Sequence, residues 1–427
     1  MPVRPLISCA VWLVLGLGGL GFDRAAGADE WPDFRGPAGD GHSRATSLPL
    51  RWSETENIRW KTPLPGQGWS TPVVWGDQIW LTSATDEGKK LWALCVNRET
   101  GKLEREVLVF NVAEPEPINA LNSYASPSPV IDGERVYVHF GTYGTAAIDT
   151  KTGQVVWLRS DLKLEHKEGP GSSPVLDGPR LILTCDGMDV QYVIALDTKT
   201  GETVWKTDRS VDLSAFDIDL RKAYATPLLT VVAGQPQLIS PGAHATYGYD
   251  PRTGKEQWRF RYTGFSNVVR PVAGLGMAYL NTGYMKPQTL AVRLDGQGDI
   301  TDTHLAWKNT QGNPNKPSPV LVDGLLYLVS DKGGVASCLD AKTGDPVWTK
   351  RLGGNFSASP LFGAGRVYLF DQDGKGLVLQ PGREFTELAT NTLDNGLMAS
   401  PAAAGQSLFL RTKSHLYRVE QTAAAGE

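Results

Sequence analysis

Apolar and polar positions alternate in short runs along this chain, as in "RVYVHF" (135–140), "LILT" (181–184), "LLYLV" (325–329) and "RVYLF" (366–370). Period-two alternation over such brief runs marks half-buried β-strands, and no stretch sustains the spacing of an amphipathic helix. Most runs follow a Ser/Thr-Pro step, as in "PSPVIDGERVYV", "SSPVLDGPRLIL" and "ASPLFGAGRVYL". Eight such copies are anchored by Pro72, Pro129, Pro174, Pro227, Pro271, Pro319, Pro360 and Pro401, spaced 41 to 57 residues apart. A unit of that length and number predicts an all-β fold, an eight-bladed β-propeller of four-stranded antiparallel blades.

A second element ends four of the copies. It reads "DTKTGQVVW" (Asp149, Gly153, Trp157), "DTKTGETVW" (Asp197, Gly201, Trp205), "DPRTGKEQW" (Asp250, Gly254, Trp258) and "DAKTGDPVW" (Asp340, Gly344, Trp348). The Asp accepts bonds from the turn backbone and the Gly takes the left-handed conformation. The Trp then sits on the fourth strand at a constant register, so each is expected to pack one blade against the next. The copies before Trp307 and around "QPGREFTEL" depart from this turn. The last copy lacks a fourth strand, whereas "NIRWKTPL" (57–64) carries Trp60 with no strands before it. The N-terminal strand is therefore expected to complete the last blade and remove the open edge.

The first 28 residues are of another kind. Arg4, an apolar run from Leu6 to Phe22 and Ala26-Gly27-Ala28 read as a secretory signal peptide, which places the protein in the periplasm or outside the cell. As an uncleaved anchor the run is at the short limit for a bilayer, so no span is expected after cleavage. The resulting organisation is a signal at 1–28, an extension at 29–56, the propeller at 57–420 and a tail at 421–427. Cys95, Cys185 and Cys338 are odd in number and lie in different repeats, so they are expected as buried free thiols. The net charge of −4 is evenly spread, which excludes a nucleic-acid stripe.

The "SPV…DG…VYV" and "ALDxxTGxxxW" elements resemble the repeat of pyrroloquinoline-quinone-type propellers, a family that includes quinoprotein alcohol dehydrogenases and BamB-type outer-membrane assembly lipoproteins. The leader "WPDFRGPAGDGHS" is similar to that of secreted propellers of planctomycete-type bacteria. The resemblance implies the fold over most of the chain. It implies pyrroloquinoline quinone only if the chain is an oxidoreductase, and the adjacent cysteines and the Glu/Asn/Asp calcium set of those enzymes are not found here. No cofactor or metal is therefore expected.

Catalytic motifs are missing as well. A G-x-G-x-x-G at Gly16, Gly18 and Gly21 falls in the signal, "DQDGKG" (371–376) has Gly382 where a calcium loop needs Glu, and the six His are scattered. His139 reads as a satisfied strand residue. The irregular loops carry the remaining signal. Asn122 and Tyr124 precede the second copy, Arg221 and Tyr224 the fourth, and Arg270 replaces Ser/Thr before Pro271. These five converge on one mouth of the channel and are the candidate contacts for an anionic ligand, a glycan or a protein, unless they are solvated loop residues. Asp217 or Asp219 is the expected partner of Arg270 or Arg221. The expected function is a monomeric binding or scaffold module, with a quinone-dependent oxidoreductase or a BamB-like envelope scaffold as alternatives.

Overall fold

The computed structural model describes residues 29–421 and contains eight small sheets arranged in a ring. Seven have four strands in meander order, and one gains a fifth. The inner strand of blade 1 lies beside those of blades 2 and 8, which closes the ring. Blade 8 is built from Ala402–Ala404, Ser407–Arg411 and His415–Glu420, with Ile58–Pro63 pairing antiparallel to His415–Glu420 as its fourth strand. The N-terminal strand thus takes the place expected of it. The expected signal at 1–28 and all of the tail beyond 421 lie outside the described residues.

The repeated turn folds as its chemistry requires. Asp149 Oδ1 accepts from the amides of Lys151 (3.0 Å) and Thr152 (2.7 Å), while Gly153 sits at φ 74°. Glycine is demanded by space too, since a Cβ on Gly201 would stand 2.7 Å from the Trp157 ring of the preceding blade. Trp157 Nε1 donates to Thr198 O at 3.0 Å, Trp205 to Pro251 O at 3.0 Å, and Trp348 to Gly382 O at 3.2 Å. Trp60 reaches Arg98 O at 2.9 Å in the same way, and Trp307 reaches Ala341 O at 3.0 Å. Each indole therefore lies on the turn of the blade that follows. Trp157, Trp205, Trp258 and Trp307 are buried, whereas Trp60 and Trp348 are half-buried.

Three blades vary the device. In blade 1 the turn is "NRETG", with Asn97 Oδ1 accepting from Thr100 N at 2.9 Å, and Arg105 stands in the Trp register. Its guanidinium donates to Lys151 O of the next turn at 2.7 Å. In blade 4 the indole of Trp258 turns inward to Gln237 Oε1 at 3.1 Å. The stretched turn of blade 5 explains this: Gly298–Asp299 pairs parallel to Glu256–Arg261 and adds a fifth strand to blade 4. In blade 7 the register position is Ala389, opposite Val378. Trp52 of the extension packs there, stacked on Tyr368 at 6.4 Å and tilted on Phe370 at 6.0 Å.

Candidate functional site

The Ser/Thr residue before each inner-strand proline builds the channel wall. The amide of Thr71 donates to Ser128 Oγ, that of Ser128 to Ser173 Oγ, and that of Ser173 to Thr226 Oγ1, all at 2.9 Å. The relay resumes from Arg270 N to Ser318 Oγ, Ser359 Oγ and Ser400 Oγ, again at 2.9 Å. A short hydroxyl accepts from the neighbouring backbone close to its own, which suits Ser or Thr to that place in the repeat. Arg270 has no such oxygen, so the relay lacks the step from blade 4 to blade 5.

Arg270 instead points into the channel, where the N-terminal extension meets it. Its side chain is 2% exposed and pairs with Asp33 Oδ1 at 3.3 Å. It also donates to Phe34 O and, through Nε, to Pro227 O at 3.1 Å. This corrects the expected partner: neither Asp217 nor Asp219 bonds Arg270. Asp217 caps a single turn by accepting from Asp219 N at 2.9 Å, and Asp219 pairs with Lys167 at 2.7 Å and with buried Lys222. A residue 237 positions away in sequence does what the nearby loop was expected to do.

Arg35 complements Arg270 from the opposite direction. Its Nη1 donates to Pro360 O at 2.6 Å and its Nη2 to Pro319 O at 2.5 Å. Both acceptors immediately precede inner strands, Leu361–Gly363 of blade 7 and Val320–Val322 of blade 6. Burial lowers the Arg35 guanidinium to about 9, opposed by Asp40. Trp31 pairs antiparallel with Val74 of blade 1, Pro32 O accepts from Ile131 N of blade 2, and His42 pairs parallel with Phe362 of blade 7. Residues 31–42 thus fill the channel axis and tie blades on every side of it.

The other four candidate residues lie in loops on the face where the inner strands begin, and their polar atoms are engaged with the loops themselves. Asn122 Nδ2 donates to Glu168 O at 2.7 Å and to Pro170 O at 3.1 Å, while its Oδ1 accepts from Ser126 at 2.6 Å. Tyr124 donates to Glu116 O at 2.7 Å. Buried Tyr224 donates to His166 O, and Arg221 donates to Ser214 O and Phe216 O at 3.1 and 2.8 Å. The structure therefore gathers Asn122 and Tyr224 around the 165–170 loop and leaves Arg221 and Arg270 apart.

Two buried histidines sit beneath this rim. His139 bonds Thr145 Oγ1 at 2.8 Å, and His166 Nε2 accepts from Thr142 N at 3.1 Å. Burial pushes them down to about 3 and about 4, with His166 adding to the effect on His139 and Asp189 opposing that on His166. Both are neutral at pH 7, which leaves His166 Nε2 free to accept from Thr142 N. The three thiols are buried and free, and burial raises each to about 12.

What sequence reading missed on this face is apolar. Phe216 stacks on His244 at 3.9 Å and 17°, and Phe265 meets Tyr284 edge-on at 6.1 Å. Around these pairs Ile218 is 49% exposed, Tyr284 56% and Met285 71%. A cleft of about 410 Å³ adjoins them, lined by Lys286, Gln288, Thr310, Asn313 and Ser330. Only exposed apolar residues in loops too irregular for periodicity signalled this patch.

A family profile described as outer membrane protein assembly factor BamB matches residues 50–163, 146–296 and 244–392. The chain belongs to this family. Among solved structures it is similar to BamB from Moraxella catarrhalis, at 13% identity and a TM-score of 0.59, over 84% of this chain and 99% of that one. It is also similar to quinohemoprotein alcohol dehydrogenase from Comamonas testosteroni, at 12% identity and 0.65, over 93% and 82% of the two chains. A europium-containing methanol dehydrogenase gives 12% and 0.65, over 90% and 89%. No curated protein matches the chain. At such identities the structures speak for the fold, which scaffolds and dehydrogenases share.

Proposed function

We propose that the protein is a binding scaffold of the cell envelope or its exterior, which grips a partner protein with the loop face of blades 4 and 5. The observation that carries this reading is the apolar residues Phe216, Ile218, Tyr284 and Met285, all exposed to solvent, of which Phe216 and Tyr284 are held by ring contacts to His244 and Phe265. Clustered exposed apolar side chains rimmed by polar ones are costly unless a partner covers them. Membership of a family described by an assembly factor fits a scaffold, and among the described residues no helix is long and apolar enough to cross a membrane.

A quinone reading finds less support. The axis where such a cofactor would lie is taken by Phe34, Arg35, Gly39 and Arg270, and the three thiols are buried in separate blades. Among the described residues no three His, Cys, Asp or Glu converge as a metal set would. The residues present do not fit the group. An anionic ligand or glycan at the rim would have to displace loop bonds already made by Asn122, Tyr124 and Arg221.

The test places a photo-crosslinking residue at Met285 and, as a control of similar exposure, at Val231 on the opposite face. A discrete protein adduct from 285 that vanishes with Ile218→Asp and Tyr284→Asp supports the reading. Equal adducts from both positions, or none from 285, would refute it.

A further inference from the structure

The segment in the channel is bound as a peptide ligand is bound. Its two ends add strand-like bridges to the free inner edges of blades 1 and 7, the one antiparallel and the other parallel. Trp31 N donates to Val74 O at 2.9 Å and Ser43 N to Phe362 O at 2.8 Å. Extended peptides commonly gain affinity this way, by main-chain bonds to an exposed sheet edge. Between the ends, a guanidinium on the segment reads two carbonyls of the ring, and a guanidinium of the ring reads a carbonyl and a carboxylate of the segment.

The glycines of "FRGPAGDG" make this seat possible. Gly36, Gly39 and Gly41 all have φ between 69° and 88°. A Cβ on Gly39 would stand 2.5 Å from the Arg270 guanidinium, and one on Gly41 would stand 2.4 Å from that of Arg35. The segment is shaped around the two arginines. It is also imperfectly satisfied: the buried Trp31 Nε1 and Arg35 Nε find no protein acceptor. A buried N–H left unpaired loses its hydration without return, which weakens the seat relative to the fully bonded ladders around it. Beyond the seat, Thr46 and Ser47 are exposed before the chain is pinned again through Leu48 O and Trp52.

We propose that residues 31–42 are a ligand the protein carries for its own channel, a Gly-rich peptide with one guanidinium that the ring recognises and can release. The channel is then a peptide site closed in this state, and a segment of like chemistry from another chain is what it accepts when open. This does not depend on the rim reading, which concerns the exposed loops of blades 4 and 5 and not the residues that hold the segment.

Two measurements on the whole protein test it. In hydrogen exchange of the unmodified chain, the amides of Trp31, Gly41 and Ser43 should exchange at least tenfold faster than those of the ladders in blades 1 and 7, through an opening that spares the ring. Equal protection, lost only with global unfolding, would make the segment part of the core and overturn the proposal. In the second, a specific protease site is inserted between Thr46 and Ser47, the full-length protein is cut, and a fluorescent synthetic peptide of residues 29–46 is added. The cut protein should stay folded and take up the peptide, and an Arg35→Ala peptide should compete at least tenfold less well. Failure to exchange, unfolding on release of the segment, or equal competition by the Arg35→Ala peptide would each contradict it.

Discussion

Blades 3 and 7 meet the same packing need with different parts. In blade 3 the strand Thr203–Asp208 supplies Trp205, which lies on the turn of blade 4. In blade 7 the matching position is Ala389, and Trp52 is brought in from the extension, its own amide held by Asn391 Oδ1 at 2.9 Å, 339 positions away. The first solution is written within one repeat and the second needs both ends of the chain. The difference teaches that the ring is not a sum of eight equal units. Its blade 7 depends on Trp52 of the extension, whose earlier residues fill the channel.

The largest effect expected follows from Arg270, which would be Ser or Thr in a regular copy. Arg270→Ser takes the guanidinium from a buried carboxylate and from the segment at once, and should cost about 3–5 kcal/mol in denaturant unfolding. A loss below about 1 kcal/mol would mean the channel contacts are idle. Next, Trp52→Ala and Trp205→Ala should each cost about 3–5 kcal/mol, the range for emptying a buried aromatic site. If Trp52→Ala costs much less, blade 7 does without the large residue its neighbours need.

Acid should then act on blade 2, whose rim buries His139 and His166. The unfolded chain protonates them near 6.5, whereas the folded protein resists down to about 3 and about 4. Their neutral burial therefore leaves stability intact above pH 6.5 and removes it as the pH falls, by about 2 kcal/mol for each at pH 5. Unfolding free energies measured from pH 7 to 5 should show this slope, and the His139→Gln, His166→Gln double variant should flatten it. An unchanged slope would place the acid sensitivity elsewhere. The smallest effect belongs to blade 1, where Arg105→Ala gives up one exposed bond to Lys151 O and should cost about 1 kcal/mol or less. A cost equal to that of Trp205→Ala would show that Arg105 fills the seam as fully as an indole.

The repeats were legible because packing repeats. The Ser/Thr-Pro step, the Asp-to-Gly turn and the Trp recur wherever blades have the same neighbours, and even the borrowed strand at Trp60 could be placed. The extension was not legible, because residues 29–56 serve a single place in the molecule and have no second copy for comparison. Arg270 stood out as a departure, yet its partner lay in that unrepeated leader and not in the adjacent acidic loop. Arg105 and Asn97 hid a fifth turn because the pattern was sought as Asp and Trp. The rim residues Asn122, Tyr124, Arg221 and Tyr224 were found by irregularity alone, which does not separate a side chain that awaits a ligand from one that ties its own loop.

A double-mutant cycle between Asp33 and Arg270 tests most directly whether the leader is bound into the ring. Stability is measured for the parent, Asp33→Asn, Arg270→Ser and the pair. The account predicts strong coupling, with the double variant at least about 1.5 kcal/mol more stable than the sum of the single losses would leave it. Additivity to within about 0.5 kcal/mol would contradict it.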